Sequence, residues 1–131
     1  MMRIVATVCL FFSLSLVVYP QSRSSRTWPS GKWEGTGYQI DTDTTWAIGF
    51  DTRGKRYLIE YPSLKCRGEW KLIRISSGRA VFREKISVGL EECVNNSTVV
   101  LERLSSRQLS VRYSYRGSSE VYASAILNRK R

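Results

Sequence analysis

The side chains that could do chemistry in this sequence are a set of carboxylates and two cysteines. There is no histidine anywhere in the chain. Ser–His and Cys–His nucleophilic systems are therefore excluded, as are His-based metal sites. Glu60, Glu69 and Glu84, with Glu91 and Glu92, could supply the paired carboxylates that glycosidases use. A small β-domain filled by its own side chains offers little substrate cleft, so the chain reads as a non-enzyme without cofactor. No Gly-rich phosphate loop precedes a helix. Gly31 to Gly37 (GKWEGTG) flanks a strand instead, where glycines suit close packing against Trp33. Cys66 and Cys93 match neither a Cys-x-x-Cys motif nor a zinc set.

Glu84 is the most informative single residue. It falls between Phe82 and Ile86 on a face assigned inward, and a buried carboxylate needs a charged or hydrogen-bonding partner. Arg103 shares the phase of Val99 and Leu101 and is the candidate. On the structural reading, a Glu84–Arg103 pair fixes register inside the fold. On the functional reading, Glu84 lies at the floor or mouth of a ligand pocket. Trp33, Trp46, Tyr57, Trp70 and Tyr113 also fall on or near inward phases. They form a core if the interior is full. If it is partly empty, Trp46, Tyr57, Trp70, Glu84, Arg103 and Tyr113 line a pocket for a small apolar or amphipathic ligand. Tyr38, Tyr115 and Tyr122 are read as an exposed contact surface.

The elements that must position these residues are β throughout. From Trp33 onward, apolar and polar residues alternate with the period of a half-buried strand. Trp46, Ile48 and Phe50 share one face; Tyr57, Ile59 and Tyr61 share another, opposite Leu58 and Glu60. Thr52-Arg53-Gly54-Lys55 and Ser76-Ser77-Gly78 are turn signals. Pro62 ends a strand by removing a ladder donor. The apolar phase slips near Ile73 within Cys66 to Ile75, which predicts a bulge. Ala80, Phe82, Glu84 and Ile86 define the next inward face, and Leu109, Val111, Tyr113 and Tyr115 give the cleanest alternation. This makes eight strands of about 5–9 residues. Closed on themselves they form an up-and-down antiparallel β-barrel; a two-sheet sandwich is the alternative.

Residues 1–22 read as a secretory segment: Arg3, an apolar run from Ile4 to Tyr19, then Pro20. An uncleaved anchor is the alternative, although the run falls short of the ~20 residues a spanning helix needs. Residues 23–32 form a polar entry segment and 33–131 the barrel. With Cys9 in the leader, two cysteines remain in an exported chain, which favours a Cys66–Cys93 disulfide. It would close a loop of about 27 residues and contribute about 3 kcal/mol. The chain carries 21 basic and 11 acidic residues, a net charge of +10. Such a field draws a protein towards anionic surfaces.

Two resemblances follow from motifs. Trp33-Glu34-Gly35 at the first strand, with Arg129 after the last, resembles the lipocalin-type (calycin) arrangement in which an Arg covers a barrel-closing Trp. The order of Gly and Trp is reversed relative to that family. A larger pattern comprises W-x-G at Trp33, Y-P-S-L-x-C-x-G-x-W from Tyr61 to Trp70, F-x-E-x-I-x-x-G from Phe82 to Gly89, and Cys93. It is similar to a poorly characterised bacterial exported β-domain found alone or appended to signalling proteins. Arg67 stands where a small residue is expected. That resemblance implies an extracytoplasmic module without catalytic residues. The leading function is a monomeric binding module for a small ligand or an anionic envelope polymer or lipid. The alternative is a secreted protein inhibitor or interaction module. Export argues against a nucleic-acid partner.

Overall fold

The computed structural model of the chain describes residues 28–131. The secretory segment read over residues 1–22, and residues 23–27 of the entry segment, lie outside the described residues. Eight strands follow in order: β1 (Lys32–Gln39), β2 (Thr44–Arg53), β3 (Arg56–Tyr61), β4 (Cys66–Ile75), β5 (Arg79–Val88), β6 (Thr98–Arg103), β7 (Gln108–Ser114) and β8 (Val121–Arg129). Each pairs antiparallel with the next, and β8 pairs back onto β1. The closing ladder runs from Trp33 opposite Arg129 to Gln39 opposite Ala123. Closure rules out the sandwich and satisfies the edges that an open sheet would expose.

Local sequence explains the joints. Gly54, at φ 61°, makes the tight turn between β2 and β3. Pro62 opens a single 3-10 turn ending at Leu64, with Lys65 left-handed at φ 55°. The β4–β5 register shifts between Leu72 and Arg74, so Ile73 is the bulged residue the phase slip predicted. β3 and β4 pair from Tyr61–Cys66 as far as Leu58–Glu69. Beyond that point β4 has no β3 partner while β5 stays paired to β6, and Leu72, Ile73 and Ile75 of β4 are exposed.

The barrel interior is a continuous apolar core. Ile48, Phe50, Trp70, Phe82, Val99, Leu101, Leu109, Val111, Tyr113 and Leu127 are all essentially inaccessible to solvent. Apart from Glu84, the described charged residues are exposed or half-buried, the reverse of a barrel embedded in lipid. The Cys66–Cys93 disulfide ties the start of β4 to the β5–β6 loop, with a Cα–Cα distance of 6.4 Å. Cys66 is buried, and the bridge is compatible with an oxidising, extracytoplasmic compartment.

Two expectations about packing are corrected. The glycine that serves a tryptophan is Gly37, and the tryptophan is Trp46 rather than Trp33: a Cβ at Gly37 would lie 2.3 Å from the Trp46 ring. Tyr122 belongs to the interior and not to an exposed surface. The β7–β8 register shifts between Tyr113 and Ser114, whose partners are Ala123 and Val121. Tyr122 is the skipped residue, and the irregularity turns both it and Ala123 inward. Tyr38 and Tyr115 are exposed as expected; Tyr115 stacks on Tyr122 with ring centroids 4.3 Å apart.

Candidate functional site

Three places gather polar groups, and the first is inside the barrel. Glu84 on β5 is only 3% exposed, as its phase predicted. Its partners are neutral. Tyr61 Oη and Trp70 Nε1 both donate to Oε2, the indole at 3.0 Å. The Tyr113 hydroxyl lies 3.1 Å from that of Tyr61. Tyr61 has one proton to give, so donation to Glu84 leaves it to accept from Tyr113. Trp46 stands edge-on to both tyrosines, at 5.2 and 5.7 Å between centroids.

The electrostatics follow from burial. Removal from water pushes the Glu84 carboxyl up to about 7, against the downward pull of its bonds from Tyr61 and Trp70. Burial likewise raises the Tyr61 and Tyr113 hydroxyls well above the ordinary tyrosine range, and the neighbouring carboxylate adds to this. Deeper support comes from aromatic packing. Trp70 lies 4.8 Å from Phe50, 5.6 Å from Phe82 and 6.3 Å from Tyr113. Tyr57 is half-buried, edge-on to Phe82 at 5.0 Å. Tyr122 closes this end through a 2.7 Å hydrogen bond to buried Ser97.

Arg103 does not pair with Glu84. Its phase is inward, but it is the last residue of β6 and lies exposed at the other end of the barrel. There its guanidinium sits 5.2 Å over the Trp28 ring. Of the six residues read as a ligand-binding set, the structure brings together Trp46, Trp70, Glu84 and Tyr113, with Tyr57 at the margin. Tyr61 was missed, although it shares the inward face of Tyr57 and Ile59 and could have been found from that phase.

A second place lies on the outer face of β1–β5, where a cleft of about 760 Å³ opens. None of the six interior candidates lines it. Its rim carries six cations, Lys32, Arg53, Arg56, Arg67, Lys85 and Lys130, against the four carboxylates Glu34, Asp51, Glu60 and Glu69. Ion pairs join Arg53 to Asp51 at 3.0 Å, Lys130 to Glu34 at 3.5 Å and Arg56 to Glu69. Lys71 and Arg56 together hold the Glu69 carboxyl below its ordinary range. Lys32, Arg67 and Lys85 have no carboxylate partner among the described residues.

The third place is the end of the barrel where Trp28 and the end of β8 meet. Arg129 covers the buried Trp33 with its guanidinium 4.2 Å from the ring centroid. This is the arrangement implied for Trp33 and Arg129. Beside it, Trp28 and Arg103 form a second stack. Residues 28–32, read as a polar entry, thus help seal the barrel. No family model, curated protein or solved structure matches the chain.

Proposed function

We propose that this is an exported, non-enzymatic recognition module that binds an anionic polymer or lipid of the cell envelope on its cationic outer face. One observation carries the reading: the interior candidates are packed against one another, whereas the large cleft lies outside, its rim carrying six cations against four carboxylates with Lys32, Arg67 and Lys85 unpaired among the described residues. Support for export comes from the secretory pattern of residues 1–22 and from the disulfide. The resemblance to exported bacterial β-domains points the same way. The interior Glu84 network then acts as scaffold. Its carboxylate stands among neutral donors, with no opening to admit a substrate among the residues that line the two clefts.

The test is sedimentation of the oxidised protein with phosphatidylglycerol-containing vesicles, with purely zwitterionic vesicles and with soluble dextran sulfate. Binding to the anionic probes at about 20 mM salt, falling at least roughly tenfold near 200 mM, is expected. Arg67→Glu should weaken it further. Equal binding to zwitterionic vesicles, or none to either polyanion at low salt, would contradict the reading. The β4 segment left unpaired by β3, with Leu72, Ile73 and Ile75 exposed, favours a second reading as a protein-interaction module.

A further inference from the structure

We propose that the end of the barrel closed by the two Trp–Arg stacks is a binding site for one tetrahedral oxyanion of the phosphate class. A cleft of about 200 Å³ lies there, bordered by Trp28, Trp33, Arg103, Arg129, Ser105 and Ser106. No acidic residue lines it. Two guanidiniums thus face one small space without a carboxylate to balance them among the described residues. Like charges held together in this way repel unless an anion intervenes.

The geometry leaves donors free for such an anion. Arg129 is anchored by Nε to the Ser106 carbonyl at 3.1 Å and by Nη1 to that of Ser30 at 3.0 Å. Its Nη2 has no acceptor among the described residues. Arg103 makes no side-chain hydrogen bond to them either, and its ring contact with Trp28 holds the guanidinium in place. Trp28 Nε1 is a buried donor without an acceptor, which is costly for an indole N–H. Stacking leaves the edge of the Arg103 guanidinium available as a fork matched to a phosphate-type anion, and Arg129 adds its single free Nη2. Gly31 lets the Arg129 guanidinium approach Ser30 this closely, since a Cβ there would stand 2.6 Å from Nη1.

Trp33 borders both clefts, but Trp28, Arg103 and Arg129 line only this one, so substitutions can tell the two sites apart. The test follows the indole N–H resonances of the oxidised full-length protein during titration with inorganic phosphate, chloride compensating for ionic strength. The Trp28 N–H should move and saturate with a dissociation constant on the order of 1 mM, while the Trp70 N–H, held by Glu84, stays still. Arg103→Gln, at an exposed position, should weaken the response at least about tenfold. Arg53→Gln, in the outer cleft, should leave it unchanged. Inorganic sulfate matching phosphate would make the site a general oxyanion site, and tighter binding of glycerol phosphate would make the source a phosphomonoester; either supports the proposal. A Trp28 signal that does not saturate, or an unchanged affinity in folded Arg103→Gln, would overturn it.

Discussion

Raising the pH from about 5 to about 8.5 is expected to destabilise the native protein by about 2–3 kcal/mol, through Glu84 alone. The carboxyl titrates near 7 in the folded chain, above its ordinary value of 4.5. A group raised in this way contributes its stability below the unfolded value and loses it as pH climbs through the folded value. Burial without a cation is the cause, because neutral donors from Tyr61 and Trp70 offset only part of the cost of an ionised carboxylate. The window is clean, since the chain contains no histidine. Glu84→Gln should remove the pH dependence, matching the parent at pH 5 and exceeding it in stability at pH 8.5. Thermal melts across this range would read the effect as roughly 10–20 °C. A flat profile in the parent would mean that Glu84 is solvated or paired with a cation.

Trp70→Ala should be the most damaging single substitution in the core. The indole is 1% exposed and touches Phe50, Phe82 and Tyr113. Truncation leaves a cavity that costs about 3–5 kcal/mol. It also strips Glu84 of a donor. Against a total stability of roughly 5–15 kcal/mol, that is a large share. Trp70→Phe separates the two effects, because it restores most of the volume and not the N–H. It should cost roughly 1–3 kcal/mol and steepen the pH dependence, since loss of that hydrogen bond lets the Glu84 carboxyl rise further. Denaturant unfolding with the disulfide intact measures both. A loss below about 1 kcal/mol for Trp70→Ala would show that the interior is loosely filled.

Much of the barrel was legible because period-2 alternation reports directly which side chains face inward. Phe82, Glu84 and Ile86 followed from it, as did the bulge at Ile73, where the phase visibly slips. The disulfide followed from the even cysteine count left once residues 1–22 are read as a leader. Partners inside a closed barrel were harder to assign. Arg103 has the inward phase, but phase says nothing of height along the axis, and it ends at the opposite end from Glu84. Tyr122 was misplaced because the β7–β8 register shift falls at the first residues of β8, beside Val121 and Ala123, where it leaves no mark in the alternation. The outer cleft draws residues from five strands whose side chains meet only after the sheet curls. The Trp28–Arg103 stack was hidden for a similar reason, since residues 28–32 show no periodicity from which to place them.

The central claim is that recognition occurs on the outside of a barrel whose interior is full. The most direct test is a residue-resolved NMR perturbation map of the oxidised protein with bicelles containing phosphatidylglycerol. The expected result is salt-sensitive shifts around Arg53, Arg56, Arg67 and Lys85, with Trp46, Trp70 and Tyr113 unmoved. Shifts concentrated on Trp46, Trp70 and Tyr113, with the outer arginines silent, would contradict it.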